Sequence, residues 1–208
     1  MKNKFQVSTE NIFCLGLFAL AIMMVIGINA CSKGVKMEDA KEVATEKNDE
    51  RFGEKKENDA DFLVNAAIIS IEEIEFGKLA QSTSKTPEVI SLGKMMEEDH
   101  TQSLMAIQML AKKKGMTIPA TLPDIGQAEY KKLLNETGSE FDRHYSNLMV
   151  KGHKEAIGLF AKAATYLTDP EIRAWASNTL PYLRLHLESA QACEKLSDNM
   201  KPPVVISK

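Results

Sequence analysis

The chain has 208 residues and a formal net charge of −3. Its charges are nearly balanced and no basic patch carries interleaved aromatic residues, so the sequence predicts no nucleic-acid partner. It also lacks a glycine-rich phosphate loop and a Gly-x-Ser-x-Gly motif, which excludes the common nucleotide-binding and serine-hydrolase signatures.

The first 30 residues are predicted to be a signal peptide. A basic start, Met1–Lys4, precedes an uncharged apolar run from Ile12 to Ile28, and Ala30 stands directly before Cys31. This resembles a bacterial lipoprotein signal, in which that cysteine is lipidated and becomes the mature N-terminus. We therefore expect a membrane partner through Cys31 and a place in the cell envelope, on the outer or inner membrane. The alternative is an uncleaved membrane helix, for which the apolar run is at the lower length limit.

Residues 31–58 are predicted to be the lipidated cysteine followed by a flexible charged tether. Lys, Glu and Asp alternate through this segment, and its few apolar residues are scattered. Such a segment buries too little apolar surface to offset the entropy lost on ordering. At the other end, residues 199–208 contain Pro202 and Pro203 and are predicted to be a short tail.

Residues 59–198 are predicted to form one all-α domain. Apolar residues recur with helical spacing throughout, without sustained strand alternation. Four long helices are expected over about 60–81, 87–114, 139–167 and 170–196, with a short helix over 126–136.

The ends of these helices carry specific signals. Thr86 and Asp169 are predicted N-caps, and each is followed by a proline, which suits the first helical position. Ser139 with Asp142 resembles a capping box with aspartate in place of glutamate. Gly115 is the expected stop of the second long helix.

Connection lengths indicate the topology. The first and second long helices are joined by a few residues, as are the third and fourth, and short links produce antiparallel hairpins. The connection over 116–138, with its short helix, can travel most of the length of the bundle. The sequence therefore favours a ferritin-like four-helix bundle with a long crossover over a simple up-and-down bundle.

Three of the four histidines lie near the midpoints of three different helices. They are His100, His153 and His186, and each lies on or beside the apolar face of its helix. The helical rise places all three about 20 Å from an end of the bundle, and hence at one level. A layer of imidazoles and carboxylates inside a helical bundle is one way in which proteins hold metal ions.

Three carboxylates are candidate members of this layer: Glu97, Glu75 and Asp142. Glu97 and His100 form Glu-x-x-His, the spacing that di-iron bundles use on two of their helices. Leu183 stands where the second such motif needs a glutamate. A di-iron oxidoreductase is therefore the less favoured alternative.

Two further interpretations remain open. Met96 and Met149 each precede a histidine by four residues, and a thioether paired with an imidazole suits copper. The candidate metals are thus copper, iron and zinc. Alternatively, the histidines bond such carboxylates without any metal and fix the packing of the bundle.

Several short motifs occur in an order that resembles one family. The motifs are Glu75–Ala80, Glu98–His100, Phe141–Tyr145 with Met149, Val150 and His153, and Leu180-Pro181 with His186-Leu187. Over residues 59–196 the set resembles the bacterial envelope family called domain of unknown function 4142. The resemblance implies a ferritin-like bundle behind a signal or lipoprotein leader, with one histidine on each of the last three long helices. It implies no reaction.

The function predicted from the sequence is therefore a lipid-anchored envelope module, metal-binding or stress-related, rather than an enzyme. The alternatives are a di-iron oxidoreductase and a structural interaction bundle without metal.

Overall fold

The structure is a computed structural model that describes residues 39–53 and 56–199. The helices are α1 (Ala40–Phe52), α2 (Glu57–Thr83), α3 (Pro87–Lys114), α4 (Asp124–Leu134), α5 (Gly138–Tyr166) and α6 (Pro170–Asn199). These described residues contain no strand, so the predicted all-α class is confirmed. The predicted signal peptide, Cys31 and the tail from residue 200 lie outside the described residues.

Contacts at the helix ends define how the long helices run. The start of α2 meets the end of α5, where Asp59 accepts a 2.9 Å hydrogen bond from the backbone N–H of Thr168. The end of α2 meets the start of α5, where Ser84 donates a 2.6 Å hydrogen bond to Asp142. These two helices are therefore antiparallel neighbours.

Helices α3 and α6 are antiparallel neighbours in the same way. Lys114, at the end of α3, lies 2.6 Å from the carboxylate of Asp169 beside the start of α6. At the opposite end, the thiol of Cys193 on α6 lies 3.5 Å from the carbonyl oxygen of Glu88 on α3. Helix α2 is also antiparallel to α3, because Gly77 meets Gly93 whereas the earlier Ser70 meets the later Ser103. Helices α3 and α5 therefore run in the same direction, with α4 between them in the chain.

The two hairpins, α2–α3 and α5–α6, repeat each other with constant spacing. Pro87 and Pro170 begin α3 and α6, and Thr83 and Tyr166 end α2 and α5; each pair is 83 positions apart. Asp59 and Asp142 are also 83 positions apart. Each carboxylate accepts hydrogen bonds from the residues that connect the two helices of the other hairpin. The fold is therefore an approximate twofold arrangement of two similar hairpins.

The predicted caps have different outcomes. Asp169 accepts the N–H groups two and three residues further on, at 2.9 and 3.2 Å, and Gly115 adopts a left-handed φ of 71°. Thr86 occupies the N-cap position, but its hydroxyl donates to Asp142 at 2.6 Å. The capping box predicted at Ser139 is wrong because α5 begins at Gly138 and Asp142 accepts hydroxyl groups of the α2–α3 link.

Helix α1 differs from the tether predicted over residues 31–58. Ala44 and Asn48, one turn apart, are buried, and Ala44 packs with Val64 of α2. The amide of Asn48 exchanges two hydrogen bonds, of 2.8 and 2.7 Å, with the backbone of Thr117. One side of a highly charged helix thus suffices to fix residues 40–52 to the domain.

The two larger apolar clusters of the core lie on either side of the histidine level. On α3 the cluster that contains Met96 lies on one side of His100, and the cluster that contains Ile107 lies on the other. The same alternation occurs around His186 on α6, between Leu183 and Ala190. Within residues 39–53 and 56–199, none of the helices combines the length and apolarity that crossing a membrane requires.

Candidate metal centre

Helices α3, α5 and α6 bring His100, His153 and His186 together. These three histidines are 3%, 1% and 2% exposed, respectively, and one ring nitrogen from each lies within 4.8 Å of a ring nitrogen of the other two. The ring centroids are 5.3 to 5.8 Å apart. The three imidazoles thus form one buried cluster, here called the histidine cluster, at the middle of the bundle.

The hydrogen bonds of His153 define which nitrogen carries its proton. Nδ1 lies 2.8 Å from the carbonyl oxygen of Met149, and a carbonyl can only accept, so Nδ1 is the donor. Burial lowers the pKa of His153 to about 4, so the ring is neutral at pH 7. The lone pair is therefore on Nε2, which faces into the histidine cluster.

His186 repeats this arrangement with a carboxylate. Its Nε2 lies 2.9 Å from Oδ2 of Asp99, and an ionised carboxylate only accepts. Its Nδ1 lies 3.3 Å from Nε2 of His153. When both rings are neutral, these two nitrogens bring lone pairs face to face. Two arrangements relieve this repulsion. Either Nδ1 of His186 carries a proton and donates a hydrogen bond to Nε2 of His153, or both nitrogens bind one cation.

Among the residues that the structure describes, neither ring nitrogen of His100 has a hydrogen-bond partner. Burial, followed by the charges of His153 and His186, lowers its pKa well below the ordinary value. A buried polar group without a hydrogen bond costs about 1–3 kcal/mol, so such groups in folded proteins call for an explanation. One ring nitrogen of His100 lies within 4.8 Å of the nitrogens that the other two rings contribute.

Glu73 lies next to the histidine cluster and was not a candidate from the sequence. It is 5% exposed on α2, and its Oε1 lies 3.7 Å from Nδ1 of His153, while its Oε2 has no partner. Burial, and then the neighbouring Glu72, raises the pKa of Glu73 well above the ordinary value. The sequence signal that could have identified Glu73 is an acidic residue on an otherwise apolar face of a helix. Asp99 was missed as well, although it directly precedes His100.

The three carboxylates predicted from the sequence have other partners. Glu97 accepts a 2.7 Å hydrogen bond from a glutamine of α2, and Glu75 forms a 2.9 Å ion pair with a surface lysine. Asp142 accepts the hydroxyl groups of the α2–α3 link. The carboxylates that approach histidines of the cluster are instead Asp99 and Glu73. Met96 and Met149 are buried in one apolar cluster of the core, and Met149 reaches His153 through its carbonyl group.

Two pockets adjoin the histidine cluster. The first, of ≈ 270 Å³ between α3 and α6, is bounded in part by Asp99, His100 and His186. The second, of ≈ 220 Å³ among α2, α4 and α5, includes Glu73 and is acidic. Burial, and then Glu155, raises the pKa of Glu72 in this second pocket to about 7. The cluster therefore lies between a largely apolar pocket and an acidic one.

Comparison with known families places the chain. The family described as Domain of unknown function (DUF4142) matches residues 44–193. The chain belongs to the DUF4142 family. The DUF4142 match includes all three histidines of the cluster and begins within α1, in agreement with the packing of that helix on the domain. Searches of curated proteins and of solved structures gave no significant match.

Proposed function

We propose that this DUF4142 protein binds one divalent transition-metal ion through His100, His153 and His186. The observation that carries the proposal is the 3.3 Å approach of two ring nitrogens whose opposite nitrogens are already bonded to acceptors. Metal-binding histidines characteristically donate their other N–H to a carboxylate or a backbone carbonyl, which fixes the tautomer and aims the lone pair. Here the carboxylate of Asp99 accepts from His186, and the carbonyl oxygen of Met149 accepts from His153.

The spacing of the nitrogens fits such a site. Zinc–imidazole bonds of about 2.0–2.1 Å in a tetrahedron place the ligand nitrogens about 3.3 Å apart. His153 and His186 already have this separation. His100 lies within 4.8 Å of them and has no protein hydrogen bond to break, so a shift of up to roughly 1.5 Å completes the set.

The charges near the cluster favour a divalent ion. Three neutral imidazoles leave both charges of the ion uncompensated, and a buried charge is costly without counter-charges. The carboxylates of Asp99 and Glu73 each lie one ring away from the centre. A bound cation would favour the ionised form of Glu73 and oppose the burial that raises its pKa, so the pair can supply two negative charges. Imidazole ligands suit zinc, copper, nickel and iron, and intrinsic affinity is highest for copper(II).

The carboxylate set disfavours the di-iron alternative. Di-iron bundles use one glutamate from each of two helices and a Glu-x-x-His pair from each of the other two. Among the described residues, the group with metal-binding spacing consists of the three histidines alone. Glu97, the glutamate of the Glu-x-x-His motif, accepts a hydrogen bond from a glutamine, and among the described residues no carboxylate joins this group.

Metal titration of the full chain tests the proposal. Wild-type protein freed of metal is expected to bind about one zinc or copper(II) ion, measured by elemental analysis and calorimetry. His100→Ala is expected to lower the affinity at least 100-fold because it removes a ligand. His144→Ala is the matched control, since the His144 ring bonds Glu129 and Glu136 away from the cluster. Absence of binding, or an equal loss in both variants, contradicts the proposal.

We also propose a ferritin-like bundle in a lipid-anchored envelope protein. The ferritin-like topology is supported by the two hairpins and by the shared direction of α3 and α5. The envelope location is supported by the apolar run Ile12–Ile28 and by the Ala30-Cys31 pair, with Cys31 as the lipidated residue. The protein then presents its metal centre outside the cytoplasm.

A further inference from the structure

We propose that the pocket between α3 and α6 binds a small neutral molecule whose nitrogen donor completes the coordination of the metal ion. This inference rests on the proposed metal binding. It concerns what reaches the ion from solution. Three protein ligands with a fourth position left open distinguish reactive zinc sites from closed structural ones.

The pocket between α3 and α6 is lined by two of the three proposed metal ligands. His100 and His186 both border it, although each residue is at most 3% exposed. Both nitrogens of His100 lack a protein partner. The second pocket is bordered by Glu73 and Met149 and includes none of the three histidines. Of these two pockets, the α3–α6 pocket is therefore the one whose lining includes ligands of the proposed ion.

Two hydroxyl groups of the pocket wall are already hydrogen-bonded within the protein. The hydroxyl of Ser103 pairs with that of Ser70 at 3.3 Å, and the hydroxyl of Thr179 donates to a backbone carbonyl at 2.9 Å. Trp175, Tyr182 and Leu183 supply flat or apolar surface. A ligand with an apolar planar body and one donor atom directed at the metal thus matches this wall better than a highly polar one.

Volume and charge narrow the class further. The ≈ 270 Å³ pocket is slightly smaller than typical drug-sized sites of roughly 300–1,000 Å³, so it suits one aromatic ring with short substituents. The side chain of Asp99 is 42% exposed and brings a negative charge to the pocket. An anion is therefore disfavoured, and imidazole is the simplest molecule of the favoured class.

The cobalt(II) form of the full chain provides the test. Its visible spectrum reports the ligands and the coordination number of the ion. At pH 8, imidazole is expected to change this spectrum saturably while cobalt remains bound, and benzoate is expected to leave it unchanged. Ala106→Phe fills the pocket and is expected to raise the apparent Kd for imidazole at least tenfold. Ala161→Phe, on an exposed position of α5 outside the pocket, is the matched control.

The outcomes separate the two proposals. Failure of the wild-type protein to bind cobalt overturns the proposed metal binding, and this inference with it. Bound cobalt whose spectrum ignores imidazole, or an equal effect of both phenylalanines, overturns this inference alone. Should Ala106→Phe fail to fold, Gln102→Trp at the exposed edge of the same pocket takes its place, with the same expected loss.

Discussion

At the scale of single residues, the histidine cluster is defined by which nitrogens are already used. The outer nitrogens of His153 and His186 bond Met149 and Asp99, while neither nitrogen of His100 has a partner in the described part of the chain. Counting residues from helix ends was enough to place the three histidines at one level. It did not identify Glu73 or Asp99, because a carboxylate's contact with a ring depends on how each helix rotates about its axis.

The low pKa of His153 gives a pH dependence of stability. The unfolded chain takes up a proton near the ordinary value of 6.5, whereas the folded chain does so only near 4. Stability is therefore greatest above pH 6.5 and falls as the pH drops from 6.5 toward 4. In metal-free protein, the free energy of unfolding is expected to fall between pH 7 and pH 5 by about 2 kcal/mol more in wild type than in His153→Gln. Urea titrations at the two pH values measure this, and equal changes in both proteins would contradict it.

At the scale of helices, α2 and α3 approach closely where two glycines face each other. A Cβ atom added to Gly77 would lie 2.5 Å from the carbonyl oxygen of Gly93, and one added to Gly93 would lie 2.7 Å from that of Gly77. Both distances are far below van der Waals contact, so neither position has room for a side chain. The contact lies within a turn of Met96 and Glu97 and helps to fix the level of α3, which carries His100.

Gly77→Ala is expected to lower the free energy of unfolding by about 1–2 kcal/mol, because overpacking outweighs the gain in helix propensity. Gly158→Ala on α5 is the control, since a Cβ there meets nothing within 4 Å. That substitution is expected to stabilise the protein by about 0.5–1 kcal/mol. Equilibrium denaturation compares the two. A destabilised Gly158→Ala, or a neutral Gly77→Ala, would count against this packing.

The sequence predicts a helix well where proline or glycine marks its ends. It predicts a helix less well where a segment is mostly charged. Pro87, Pro170 and Gly115 mark ends that the structure reproduces. The charges of residues 40–52 outnumber their apolar residues, which predicts a tether, yet Ala44 and Asn48 fix one side of α1. A single amide that exchanges two backbone hydrogen bonds with a distant loop leaves no periodic signal in the sequence.

At the scale of the whole molecule, the proposed lipid anchor would confine the metal centre to a membrane surface. The proposal depends on one atom, the sulfur of Cys31.

Cys31→Ser is expected to move the protein from the membrane fraction to the soluble fraction or to leave the signal peptide uncleaved. The reason is that serine does not accept the lipid. Membrane fractionation and intact-mass measurement of the wild type and the variant test both expected outcomes. An unchanged membrane fraction together with an unchanged mature mass would exclude the lipoprotein assignment.

The 83-position repeat of the hairpins has a consequence for how many ions the bundle can hold. The positions equivalent to His153 and His186 are occupied by Ser70 and Ser103, whose hydroxyls lie 3.3 Å apart. The equivalents of Glu97 and His100 are two leucines, Leu180 and Leu183. One half of a nearly symmetric frame thus carries donor nitrogens, and the other carries hydroxyl and methyl groups. Side chains alone break the symmetry that would permit a pair of ions, so the proposed metal site is single among the described residues and lies to one side of the pseudo-twofold axis.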